Sequence, residues 1–127
     1  MMKENKLRML LDQGKPSIST RMWSTWPGYL ESLGNIGGFD YFEFVAEYVA
    51  FSQEKLENLA RTAELYNMGS MVKIDFMNRG YVAQRAIAAG FQSILFSDHH
   101  TAEEVRETIA MVKPEGPGRD GKFGYPN

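Results

Sequence analysis

The residues able to do chemistry are charged side chains set at strand-like spacing: Arg21, Glu43, Glu47, Lys73 and Asp75. In residues 39–50, FDYFEFVAEYVA, alternation puts Phe42, Phe44 and Ala46 on one face of a strand, and Tyr41, Glu43, Val45 and Glu47 on the other. A strand with an apolar outer face and acids toward its C-terminal end fits a parallel sheet covered by helices, where ligands collect beyond the carboxyl ends of the strands. Arg21 can bind a substrate carboxylate or form an ion pair with Glu43. Lys73 is costly to place on the interior side of a sheet without a charged partner, and its structural partner is Glu43 or Glu47, with Glu43 expected ahead of Glu47. Asp75 can cap the turn that follows it. His99 and His100 are adjacent, point apart on an extended segment and make a poor chelate, so they read as a solvated loop. Trp23 and Trp26 read as rim packing.

The elements that must position these groups follow from hydrophobic periodicity. Leu7, Leu10 and Leu11 share one face of a lead-in helix over residues 3–13, with Gly14 at its C-terminal side. Ile18, Thr20 and Met22 alternate with Ser17, Ser19, Arg21 and Trp23 in a first strand. Pro27 suits the first turn of a helix carrying Tyr29, Leu30 and Leu33, with Gly34 as its terminator. Ser52 caps a helix running to about Tyr66, in which Leu56, Leu59, Ala60 and Ala63 form the apolar stripe and Gly69 follows as terminator. SMVKID is a third strand, with Val72 and Ile74 on one face and Met71, Lys73 and Asp75 on the other. Asn78 can cap a helix closed by Gly90, and FQSILF is a fourth strand. Thr101 and Glu104 make a capping box before a last helix, which Pro114 stops.

Residues 115–127 are rich in Gly and Pro without periodicity and read as a loop or tail. They contain a literal G-x-G-x-x-G at Gly116, Gly118 and Gly121. A dinucleotide fingerprint needs a strand before it and a helix after it, so this match carries no cofactor. The whole chain is then one α/β domain of four βα units after a lead-in helix, with parallel strands and right-handed crossovers. An open doubly wound sheet and a partial (β/α)8 barrel share this rhythm, and the polar inward faces favour the first half of a barrel.

Composition narrows the function. The 14 Lys and Arg against 16 Asp and Glu leave no basic excess to neutralise phosphates, which argues against nucleic acid as the main partner. Zero Cys removes disulfides, thiolate catalysis and cysteine metal sites. The charged N-terminal stretch contains neither a signal h-region nor a membrane span, and a cytoplasmic location is expected.

Several segments, taken in order, resemble the HpcH/HpaI aldolase and citrate-lyase family: NKLRMLLDQGKP, GGFDYFEFVAEY, MVKIDFMNRGYVAQRAIAAGFQSILF, TAEEVRETI and KPEGPG. The resemblance implies a divalent-metal (β/α)8 barrel that cleaves or forms 2-oxo-acid aldols of the pyruvate type. Carried over residue by residue, it retains an acid at Glu47, near the acid/base and metal-water site. It puts Tyr48 where the family has a histidine and Val45 where it has a second acid. It places Lys73 at the family's enolate-stabilising arginine, as a point charge in place of a bidentate fork. Arg21 and Asp75 are then candidates for substrate binding. The metal, magnesium or manganese, is implied by the family alone, and its two carboxylate ligands are expected on later strands beyond Asn127. The expected partners are a 2-oxo acid and an aldehyde. Two open sheet edges make homo-oligomers an expectation as well. The competing reading is a non-catalytic truncated or divergent half-barrel that self-associates or complements another half. A small phosphoacceptor or flavodoxin-like module fits the length but lacks an acidic cluster or phosphate loop after the first strand.

Overall fold

The structure, a computed structural model, describes residues 3–124. Helix α1 (Lys6–Asp12) precedes an alternating series: β1 (Ser19–Met22), α2 (Pro27–Ile36), β2 (Tyr41–Val45), α3 (Gln53–Leu65), β3 (Gly69–Ile74), α4 (Arg79–Ala89), β4 (Ser93–Phe96) and α5 (Ala102–Val112). A short hairpin of β5 (Glu115–Gly116) and β6 (Arg119–Asp120) follows.

The four main strands form one sheet in the order β1-β2-β3-β4, and every pairing is parallel. Because the order never reverses, crossovers of one hand put α2, α3 and α4 on the same face, where α5 packs against α4, whereas a doubly wound sheet reverses and covers both faces. Burial agrees. Phe42, Phe44, Val72 and Ile74 are fully buried with Leu30, Leu56 and Leu59 from the helices. The register sets Arg21 beside Glu43 and Glu43 beside Met71, with Val45 beside Lys73 and Lys73 beside Leu95, on the face opposite this core. Helix α1 is tied to the N-terminal end of the sheet: Asn5 Nδ2 donates to the Gln92 carbonyl, and Lys6 pairs with Asp40 at 3.1 Å. Among the described residues no helix is long and apolar enough to cross a membrane.

Capping follows the sequence at α3 and α5 but not at α4, where the Asn78 side chain caps no amide and donates to Asp75 instead. The Ser52 side chain accepts from the Lys55 amide at the start of α3, and Thr101 and Glu104 form the reciprocal box at the start of α5.

Elsewhere the structure departs from expectation. Helix α2 passes through Gly34 and ends at Gly37, because the role of Gly34 is close approach: a Cβ there would lie 2.3 Å from the Tyr66 ring. Helix α3 is ended by Asn67, which takes the left-handed conformation at φ 53°, so that Gly69 is free to begin β3. Strand β2 stops at Val45, since the Tyr48 amide turns back to the Val45 carbonyl at 3.2 Å. The Gly/Pro-rich tail, read as loop, forms the β5–β6 hairpin with Gly118 at φ 70° in its turn. It folds back so that the Lys122 amide donates to the Ala110 carbonyl at 2.7 Å, beside the longer bond of 3.4 Å from the Lys113 amide that ends α5. Residues 125–127 of that tail lie outside the described residues.

His99 is also not solvated. Its Nε2 is 2.9 Å from the Thr108 hydroxyl, and its ring meets Phe76 and Phe96 edge-on. Thr108, fully buried in α5, also accepts a hydrogen bond from Arg79 Nε at 2.9 Å, and Arg79 pairs with Glu107 as well. His100 remains exposed, as the sequence implies.

Candidate functional site

Lys73 projects from the penultimate position of β3 on the face away from the helices. Glu47 reaches it from the turn that leaves β2, and Lys73 Nζ donates to Glu47 Oε2 at 2.5 Å. The side chains are 21% and 13% exposed, so the pair is sheltered yet reachable. The hydrogen bond to Lys73 holds the Glu47 carboxyl below its ordinary value. The same bond raises the Lys73 ammonium above its own. Both are therefore charged at neutral pH: Lys73 is a fixed cation and Glu47 an acceptor.

Tyr48 adds an aromatic wall. Its ring centre lies 5.2 Å from Lys73 Nζ, and it stacks on Trp23 with centroids 5.5 Å apart and planes inclined by 11°. The pairing of Trp23 with Tyr48 was invisible in the sequence, because it joins the turns after two different strands. Asp75 follows β3 directly and uses Oδ2 to accept from the Asn78 amide at 3.0 Å and the Asn78 side chain at 2.8 Å. It caps the turn into α4. Its charge also reaches Glu47, where it opposes the downward shift.

One register step below, Arg21 Nε lies 3.1 Å from Glu43 Oε1. That oxygen is buried and makes no well-directed hydrogen bond, so the contact is an ion pair by proximity only. Arg21 is the more exposed partner, with 56% of its side chain accessible against 11% for Glu43. The structure thus brings Lys73, Glu47 and Tyr48 together with Asp75 nearby, and pairs Arg21 separately with Glu43.

Among the described residues, no group of three His, Asp or Glu side chains converges to hold a metal ion. The acids nearest Lys73 are engaged, Glu47 with the ammonium and Asp75 with Asn78. These donors do not fit a divalent metal.

No family model matches the chain, and no curated protein matches it in sequence. Solved structures do match in shape. An HpcH/HpaI aldolase from Desulfitobacterium hafniense superposes with a TM-score of 0.82 at 23% identity, over 98% of this chain and 46% of that one. The citrate synthase SbnG gives 0.84 at 18% identity, over 96% and 48%. An HpcH/HpaI aldolase/citrate lyase family protein from Burkholderia cenocepacia gives 0.81 at 17% identity, over 97% and 49%. The fold is half of the (β/α)8 barrel of these structures. This chain spans about half the length of the structures it matches. In the half-barrel, Lys73 and Glu47 stand at the C-terminal ends of the strands on the face that a closed barrel turns toward its axis.

Proposed function

We propose that this face is half of a carbon–carbon lyase site acting on 2-oxo acids of the pyruvate type. The observation that carries the reading is the Lys73–Glu47 pair, a permanent cation and an ionised carboxylate at adjoining strand ends. In a retro-aldol step the proton of the 4-hydroxyl leaves, the C3–C4 bond breaks, and its electron pair enters the 2-oxo group as an enolate that is later protonated at C3. Lys73 supplies positive charge where the enolate oxygen develops, which is most useful in a site screened from water. Glu47 accepts the hydroxyl proton, directly or through water. Tyr48 and Trp23 wall the aldehyde side, Arg21 meets the substrate carboxylate once it exchanges Glu43 for it, and the free oxygen of Asp75 accepts from a substrate hydroxyl. The divalent metal implied by the sequence resemblance would need ligands other than the residues described.

The test is pyruvate release from a 4-hydroxy-2-oxo acid by the purified protein with magnesium or manganese added. Release that depends on Lys73 supports the reading, and release that is undiminished in Lys73→Met counts against it.

A second reading has its own support. Arg21 and Lys73, the cations on this face, each already hold an acid, Glu43 and Glu47, as a purely structural lining would. A non-catalytic half-barrel would lose stability, and no activity, on Lys73→Met.

A further inference from the structure

We propose that the aldehyde handled at this site carries an uncharged aromatic ring, which lies on the Trp23–Tyr48 stack. The inference rests on the lyase reading for its chemistry and on the geometry of the stack for its ring site.

The stack joins two turns that the sheet brings side by side. Trp23 follows β1 directly and Tyr48 lies in the turn after β2, so both stand beyond the C-terminal ends of their strands. Strands added beside β1 or β4 would not lie over that end, which is where ligands enter a (β/α)8 barrel. The two planes are inclined by 11° with centroids 5.5 Å apart, so each ring gives one face to the other. Even so, Trp23 is 58% exposed and Tyr48 61%. The pair is a flat aromatic surface already fixed before a ligand arrives, which lowers the ordering cost of binding one. Trp26 is different: its ring lies against Gly28 in the first turn of α2, where a Cβ would be 2.5 Å from it.

The position of Lys73 turns this surface into a substrate wall. Its Nζ is 5.2 Å from the centre of the Tyr48 ring, and Trp23 stacks on that same ring. In a 4-aryl-4-hydroxy-2-oxo acid, C3 and C4 separate the 2-oxo group from the aryl ring. With the oxo oxygen at Lys73, the aryl ring falls on the stack. The step balances: the 4-hydroxyl proton passes to Glu47, the C3–C4 bond breaks, and its electron pair enters the 2-oxo group. C4 then leaves as the aryl aldehyde, and Glu47 returns the proton to C3 to give pyruvate.

Charge argues against an acidic aldehyde. Arg21 and Lys73 share this face with three acids, Glu43, Glu47 and Asp75. Once Arg21 holds the carboxylate of the 2-oxo acid and Lys73 the enolate, neither is left for a second carboxylate, and Glu47 and Asp75 repel one. An aryl aldehyde is uncharged, and its formyl group withdraws electrons from the ring, which favours stacking on an electron-rich indole.

The two tryptophans supply the test. In a nitrogen–proton correlation spectrum of the full 127-residue chain, the Trp23 and Trp26 indole N–H signals are assigned with Trp26→Phe. They are then followed as benzaldehyde, cyclohexanecarbaldehyde or 4-carboxybenzaldehyde is added. Benzaldehyde is expected to move the Trp23 signal saturably and leave Trp26 in place. It should bind about fivefold more tightly than the saturated ring of similar size, the contribution of one aromatic stack, and more tightly than the carboxylated ring. Trp23→Leu, followed through the Tyr48 amide, should weaken benzaldehyde by at least as much. No saturable shift at Trp23, equal affinity for the saturated ring, tighter binding of the carboxylated ring, or affinity unchanged in Trp23→Leu would each overturn the proposal. Pyruvate release enters none of these results, so failure of the ring site and failure of the lyase reading are told apart.

Discussion

Lys73 and Glu47 are 26 residues apart in sequence, yet Nζ and Oε2 meet at 2.5 Å. The meeting is produced by register. Lys73 lies level with Val45, and the turn after Val45 swings Glu47 over the end of the strand. Neither residue needs the other's local sequence, so the contact belongs to the sheet.

The pair makes stability depend on pH in two windows. The Glu47 carboxyl is depressed in the folded state, so its contribution is present above about pH 4.3, the unfolded value, and is lost as pH falls through the folded one. Lys73 is raised, so its contribution is complete below about pH 10.4 and disappears as pH climbs through the folded value. Asp40 and Glu104 are depressed as well, by the Ile18 amide and by the His100 and Thr101 amides, and they share the acid window. Thermal melts of Glu47→Gln across pH are expected to show a shallower acid loss than the wild type, with Asp40 and Glu104 accounting for what remains. An unchanged acid arm would remove Glu47 from the account.

Gly34→Ala is expected to destabilise the protein by roughly 1–3 kcal/mol, because the added methyl must displace the Tyr66 ring where α2 crosses α3. Denaturant unfolding measures it directly. Gly37→Ala probes a different property, the positive φ at the end of α2, and has open space for its methyl. Only the first variant should respond to Tyr66→Ala as a second-site partner.

Thr108→Val keeps the shape of the side chain but deprives both Arg79 Nε and His99 Nε2 of their partner. A loss of about 1–3 kcal/mol is expected, the cost of leaving sheltered polar groups unpaired. Chemical shifts of the His99 ring should move in the same variant, whereas the exposed His100 should be unaffected.

Much of the fold was legible because periodicity and caps are local. Ser52 with its leucine stripe, and Thr101 with Glu104, announced α3 and α5 where they occur. What failed were signals with two physical origins. A glycine marks either a helix end or a close approach, and Gly34 is the second kind. Alternation in β2 continues through Ala46 and Glu47 in the sequence, although the chain turns after Val45. At the site, the charge of Lys73 demanded a partner, and Glu43, expected ahead of Glu47, pairs with Arg21 instead. The choice depended on register, which sequence does not print. Thr108 carried no mark at all, since a threonine among the polar residues of a helix reads as surface until its neighbours are known.

The most direct measurement is pyruvate release from a 4-hydroxy-2-oxo acid by the wild type, Lys73→Met and Lys73→Arg, each with magnesium or manganese. If Lys73 stabilises the enolate, Lys73→Met should lower kcat by about 10²–10³, as loss of one preorganised charge-stabilising donor does. Lys73→Arg, with its charge kept, should recover part of the rate. A Lys73→Met variant that releases pyruvate undiminished would contradict the proposed role of the pair.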